Sequence, residues 1–230
     1  MITTILLDAG GVLVRALHGE WDIPAALYEL LGSRAKDVPG SAWHAAHDRY
    51  HDLIREDVVL DAEGEYRQRR AFLDAVGKTL GWNMTEAELE ALAQDFTCND
   101  KRYIWYDDVA PVLTRLHRRY RIGVLSDAMP SVETYARAYE NGRGFFDEIV
   151  LSTQIGACKP DPRMYEEILR RMCVRPEECV FVDDRACNLE GAEACGIRGV
   201  QMLRDDLKKD FNGAAVHNLA ELETLLEAWN

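Results

Sequence analysis

The 230-residue chain has no apolar run approaching the ~18 residues needed to span a bilayer. Its N-terminus goes straight into apolar residues 2–7, with no basic segment or small-residue cleavage site ahead of them. Membrane insertion and secretion are therefore not expected. The six cysteines (Cys98, Cys158, Cys173, Cys179, Cys187 and Cys195) form no CxxC pair and no His spacing suited to zinc. A chain this long does not need disulfides, so reduced thiols in a cytoplasmic protein are the expectation. Basic residues are also scarce, with 27 Lys and Arg against 40 Asp and Glu, a formal charge of −13. That balance argues against nucleic acid, whose phosphate backbone needs clustered cations. The nearest approach to such a cluster, His117-Arg118-Arg119-Tyr120-Arg121, is the kind of segment that ends an exposed helix, where cations favour the dipole. Internal repeats and low-complexity tracts are absent too.

What is present is 47% hydrophobic residues, enough for a substantial core. Four short runs rich in β-branched residues, over 2–7, 122–125, 149–151 and 180–182, predict buried strands, with a weaker fifth over 199–203. From residue 122 onward, helix-period stretches near 131–140, 163–172 and 189–195 separate them. Short buried runs alternating with amphipathic helices predict parallel βαβ units, an α/β sheet covered on both faces. A last helix over 219–229 carries Leu219, Leu222, Leu225, Leu226 and Trp229 at helical spacing, a stripe expected to pack the core. Residues 15–105 differ: helical periods, turn signals at Val38-Pro39-Gly40 and Gly81-Trp82-Asn83, and no convincing strand. The expected organisation is a doubly wound parallel core from residues 1–14 and 106–230, with an all-helical insertion over 15–105.

The predicted strands share one property. The first ends in Asp8, the second in Ser126-Asp127 and the fourth in Asp183-Asp184, while Lys159-Pro160-Asp161 follows the third. In a parallel sheet these ends lie along one edge, where ligands bind. Carboxylates, a lysine and a hydroxyl together suit a divalent cation and a phosphate. Each alone has a plainer role: Asp8 as a turn former, Ser126 and Asp127 as caps of the helix starting near Pro130, Lys159 to Pro162 as a loop into the next helix. Asp183-Asp184 is harder to explain that way, since adjacent carboxylates at a strand end repel and need compensation.

Four motifs, in this order, carry a family resemblance: Leu6-Leu7-Asp8-Ala9-Gly10-Gly11-Val12-Leu13; Gly123-Val124-Leu125-Ser126-Asp127; Gly156-Ala157-Cys158-Lys159-Pro160-Asp161; and Val180-Phe181-Val182-Asp183-Asp184-Arg185-Ala186-Cys187-Asn188, continued by Gly191-Ala192 and Gly196. The chain resembles the haloacid dehalogenase superfamily, dominated by aspartate-nucleophile phosphatases with a Rossmann-like core. Its helical stretch is similar to the cap domain inserted after the first motif in that family. The resemblance implies that Asp8 attacks phosphorus to give an aspartyl-phosphate. It implies that Asp8, the backbone carbonyl of Gly10 and Asp184 bind Mg²⁺, with Asp183 supporting from beside or behind. Ser126 and Lys159 would hold the phosphoryl oxygens, and Asn188 would steady the metal and its loop.

The chain departs from the pattern at Gly10. Family phosphatases usually carry there a second Asp that protonates the leaving oxygen and later activates water. Glycine keeps the backbone geometry and lets the loop approach a phosphate closely, but transfers no proton. Asp127, or the cap residues His18, Glu20, Asp22 and His44, are the alternative sources of a proton, and an ester with a good leaving group would need one least. The tryptophans Trp21, Trp43, Trp82 and Trp105 are expected either to pack the cap or to line a site. The haloacid branch works without metal, which Asp183-Asp184 and Lys159-Pro160 argue against. The phosphonate branch needs a cap lysine, and Lys36, Lys78 and Lys101 stand in no recognisable context. The expected function is a Mg²⁺-dependent phosphatase acting on a small phosphorylated metabolite. The alternative is a weak or inactive phospho-ligand- or protein-binding module on the same fold.

Overall fold

Alternation along the predicted strands sets the architecture. A computed structural model of the chain describes residues 1–55, 58–205 and 207–230. Eight strands occur among the described residues: β1 Thr4–Leu7, β2 Val14–Ala16, β3 Tyr103–Trp105, β4 Arg121–Ser126, β5 Glu148–Leu151, β6 Cys179–Asp183, β7 Arg198–Met202 and β8 Ala214–Val216. Six form one parallel sheet in the order β5-β4-β1-β6-β7-β8, with β1 at its centre (Leu7 opposite Val124 and Val182). In the three central strands Ile5, Leu7, Ile122, Val124, Val180 and Val182 face one side, and Leu6, Leu125 and Phe181 the other. Both faces are buried because both are covered, as a parallel sheet requires. Helices Val109–Leu116 and Leu219–Trp229 cover the first face through Val109, Val112, Leu113, Leu219, Leu222 and Leu226. Helices Pro162–Met172 and Ala186–Ala194 cover the second through Met164, Ile168, Leu189 and Ala192. This is the α/β, doubly wound, Rossmann-like fold.

Between β2 and β3 the chain is helical: Leu27–Leu31, Ser33–Lys36, Gly40–Tyr50, Ala62–Thr79 and Glu86–Cys98, around a separate apolar cluster that includes Leu27, Trp43, Phe72, Val76, Trp82 and Phe96. Local chemistry sets the helix starts. Asp61 caps Ala62–Thr79 by accepting from Gly64 N at 2.7 Å, and Thr85 with Glu88 forms a capping box for Glu86–Cys98. Glu65 ties this body to the core, accepting from Ser131 N at 3.0 Å and Ser131 Oγ at 2.7 Å.

Three expectations need correction. Residues 15–105 are not free of strand: β2 and β3 pair antiparallel, Val14 opposite Trp105, in a short ribbon at the root of the helical body. The sheet has a sixth strand, β8, whose Ala-Ala-Val is too short to stand out as an apolar run. The helix expected over 189–195 begins at Ala186, which brings Asn188 into its first turns.

Candidate active site

The carboxyl ends of β1, β4 and β6 deliver Asp8, Ser126 and Asp183-Asp184 to one edge of the sheet, and the loop after β5 brings Lys159 between them. Asp8 extends the ladder by one residue, its N–H donating to Val182 O at 2.9 Å. Two further aspartates secure the lysine loop. Asp127 Oδ1 accepts from Lys159 N at 2.8 Å, and Asp161 caps helix Pro162–Met172 through Arg163 N at 2.9 Å. Asp127 is thus a loop anchor; the helix beginning at Ser131 has Pro130 before it and no side-chain cap.

Lys159 Nζ is fully enclosed. It donates to Leu125 O at 3.1 Å and to Asp183 Oδ2 at 2.7 Å, and it lies 2.9 Å from Asp8 Oδ1. Asp8 Oδ1 is thus a buried oxygen paired with the ammonium, with no further donor reaching it. Asp183 is saturated: besides Lys159 it accepts from Arg185 N at 2.8 Å and from Asn188 Nδ2 at 3.0 and 3.1 Å. One oxygen from each of Asp8, Asp183 and Asp184 falls within 4.8 Å of the others. Burial, then the neighbouring carboxylate of Asp183, raises Asp184, while burial raises Asp8 against the opposing pull of Lys159. Burial pulls Lys159 down, but Asp183 and Asp8 outweigh it and hold the ammonium charged. This is an over-acidic pocket of hard oxygens, and its residues fit a divalent cation.

The two glycines after Asp8 have different reasons. Gly11 adopts φ +68°, and a Cβ there would stand 2.5 Å from Asp184 Oδ2, so both conformation and space demand glycine. Gly10 has no such φ, but its Cβ would stand 3.1 Å from Cζ2 of Trp21. The sequence suggested that Gly10 admits a phosphate; the structure puts the edge of an indole against it.

Asp8, Gly10, Ser126, Lys159, Asp184 and Asn188 line one cavity of about 460 Å³. The helical body supplies its other wall, with Trp21, Asp22, His51, Arg69 and Arg102, while Tyr103 and Trp105 come from β3. Arg69, 3% exposed, donates to Asp22 Oδ1 at 2.8 Å and sits over the Phe96 ring. His47 Nε2 lies 2.9 Å from Asp22 Oδ2. Burial pushes the Asp22 carboxyl up, but the His47 contact and the Arg69 charge together hold it at about 2. Arg102 donates to Phe96 O at 2.7 Å and to Trp21 O at 3.2 Å. Of the cap residues considered as proton sources, only Asp22 reaches this cavity. His18, Glu20 and His44 line a second space of about 190 Å³ with Trp43 and Trp82. Arg69 and Arg102 escaped the sequence reading. For Arg69 a signal exists: Glu65 and Arg69 share the stripe of Phe72, Leu73 and Val76 on helix Ala62–Thr79, and charged residues on an apolar stripe are unusual.

The parallel sheet thus sets an aspartate at the end of its central strand, with a lysine and an acidic pair beside it. Residues 2–196 match the haloacid dehalogenase-like hydrolase family, and the chain belongs to that family. It is 35% identical over 126 residues to Phosphatase MT3486 of Mycobacterium tuberculosis, covering 53% of this chain and 56% of that one. It is 34% identical over 102 residues to the glyceraldehyde 3-phosphate phosphatase of Methanopyrus kandleri, covering 43% of each; the chain thus spans about half the length of these curated relatives. With the D-ribitol-5-phosphate phosphatase of Bacteroides thetaiotaomicron it shares 27% identity over 207 residues, 87% of this chain and 92% of that one. Among solved structures, the L-2-haloacid dehalogenase of Xanthobacter autotrophicus superposes with a TM-score of 0.71 at 19% identity over the whole of both chains, a likeness of fold. No helix among the described residues is long and apolar enough to cross a membrane.

Proposed function

We propose that this protein is a Mg²⁺-dependent phosphatase that hydrolyses a small phosphorylated metabolite by attack of Asp8 on phosphorus. The observation that carries the reading is the Asp8 carboxylate at the end of the central strand, with Lys159 Nζ at 2.9 Å and the carboxylates of Asp183 and Asp184 beside it. Asp8 and Asp184, with the backbone carbonyl of Gly10, would hold the cation, and saturated Asp183 would act from behind. When bound, Mg²⁺ supplies positive charge to the transferring phosphoryl group. Ser126 and Lys159 hold phosphoryl oxygens, and Lys159 keeps the Asp8 carboxylate ionised and oriented for attack. Asn188 fixes Asp183, and Asp127 fixes the Lys159 loop. The helical body acts as a cap that selects the substrate and excludes water when closed over the cavity. The names of the glyceraldehyde 3-phosphate and D-ribitol-5-phosphate phosphatases support a phosphate monoester of a small molecule as the type of substrate, without fixing its leaving group. A cytoplasmic location belongs to the same proposal.

The test is hydrolysis of an aryl phosphate with and without Mg²⁺, by the native protein and by Asp8→Asn. Mg²⁺-dependent turnover lost in the variant is the expected result. Absence of turnover in the native protein with Mg²⁺ binding intact favours the binding-module alternative.

A further inference from the structure

The indole of Trp21 stands where a side chain at residue 10 would project. A Cβ on Gly10 would meet Cζ2 at 3.1 Å, Cη2 at 3.4 Å and Cε2 at 3.7 Å, so a side chain there fits only if the ring gives way by a few tenths of an ångström. Trp21 is held there from several sides. Arg102 donates to its carbonyl, its ring lies 6.3 Å from that of Tyr103, and Asp22, next in the chain, is fixed by His47 and Arg69. The ring remains 42% exposed and lines the cavity that contains Asp8.

Several of the other groups able to give up a proton are committed. Asp22 stays ionised, with oxygens on Arg69 and His47. Asp127 accepts from the Lys159 backbone, and Tyr135 OH donates to Thr97 O. His18, Glu20 and His44 face the second cavity. His51 lines the main cavity with its ring edge-on to His47, 5.5 Å between centroids, and is the group a direct test must address.

We propose that Trp21 is a specificity-determining residue: its indole occupies the space beside Gly10 where a proton donor would have to stand, and together with Gly10 it leaves turnover to phosphate esters whose leaving oxygen departs unprotonated. The inference rests on the phosphatase reading. In the first step an Asp8 oxygen forms a bond to phosphorus while the bond from phosphorus to the leaving oxygen breaks. The electron pair goes to that oxygen, which leaves as an anion and takes its proton from solvent. In the second step water adds to phosphorus, the bond to Asp8 breaks, and the proton of the water leaves with the inorganic phosphate or to solvent. A leaving group of low basicity tolerates this sequence. The aromatic surfaces of Trp21, Tyr103 and Trp105 suit one with a planar face, so the substrate class is an aryl or enol phosphate.

The experiment measures kcat and KM for a series of aryl phosphates of increasing leaving-group pKa, and for one alkyl phosphate, with the native protein, G10D, W21A and G10D/W21A. The native protein should show kcat/KM falling steeply along the series, with the alkyl ester at least about 100-fold below the best aryl ester, the range that acid assistance usually covers. G10D should not exceed the native rate on the alkyl ester. G10D/W21A should gain about 100-fold over G10D on that ester. W21A should raise KM for aryl phosphates while leaving the steepness of the series unchanged. A flat series in the native protein overturns the inference, as does a gain on the alkyl ester in G10D alone. So does a series that becomes steeper in His51→Asn, which would make His51 the donor. If the double variant does not fold, a gain on the alkyl ester in G10D alone, or a flat series in the native protein, still overturns the inference. Complete absence of aryl phosphate turnover would instead sink the phosphatase reading itself.

Discussion

On the sheet side of the cavity one lysine, Lys159, faces Asp8 and Asp183, with Asp184 and Asp127 close by. On the helical side two arginines and His47 gather around one carboxylate, Asp22. Lys159, Asp8, Asp183 and Arg69 are buried, and both groups contain ion pairs under 3 Å. Yet the carboxylates move in opposite directions. Asp8, Asp127 and Asp184 are raised, first by burial, because one lysine cannot compensate them all. Asp22 is lowered to about 2, because cations outnumber it and overcome its burial. The difference separates two uses of buried charge. A balanced cluster holds a wall in shape, whereas an over-acidic one suits a cation from outside.

The sharpest way to break the comparison is to remove the single cation of the acidic side. Lys159→Met removes the cation that faces two buried carboxylates and should cost about 3–5 kcal/mol of stability, read from the urea midpoint. Next comes metal. Added Mg²⁺ at a hundredfold excess over its Kd should raise stability by about 2–3 kcal/mol, seen as an increase in Tm that Asp184→Asn largely removes. The balanced side predicts a pH signature. A carboxylate whose folded pKa is depressed stabilises the protein above its unfolded value of 3.8, and that stability disappears as pH falls toward about 2. Asp22→Asn should therefore cost about 2 kcal/mol at neutral pH, and its deficit against the native protein should shrink across that acid window in urea titrations at several pH values. Last, the exposed pair Arg119–Glu227 belongs to neither cluster. Arg119→Ala should shift stability by less than about 0.5 kcal/mol.

What the sequence disclosed follows the same division. The central strands were legible because burial on both faces leaves runs such as Thr4–Leu7 and Cys179–Asp183 with little polar interruption, and the polar residues just beyond them marked the sheet edge. Ser126, Lys159, Asp183, Asp184 and Asn188 all reach the Asp8 neighbourhood for that reason. The ribbon of β2 and β3 was not legible, since each three-residue strand is defined by a partner far away in the chain. The cap wall was hidden for a related reason. Trp21, Arg69 and Arg102 come from separate segments, and only packing of the helices against Phe96 and Tyr103 brings them to the cavity. Gly10 shows both limits at once: the missing acid is visible in the sequence, whereas the indole in its place is visible only in three dimensions.

The most direct test of the account is to trap the phosphoryl group on Asp8. Protein mixed with an aryl phosphate and Mg²⁺, quenched in acid during turnover and digested for mass spectrometry, should yield the peptide containing Asp8 carrying one phosphoryl group, with no such adduct from Asp8→Asn. Turnover without any phosphorylated Asp8 peptide, or with the group on another residue, would contradict it.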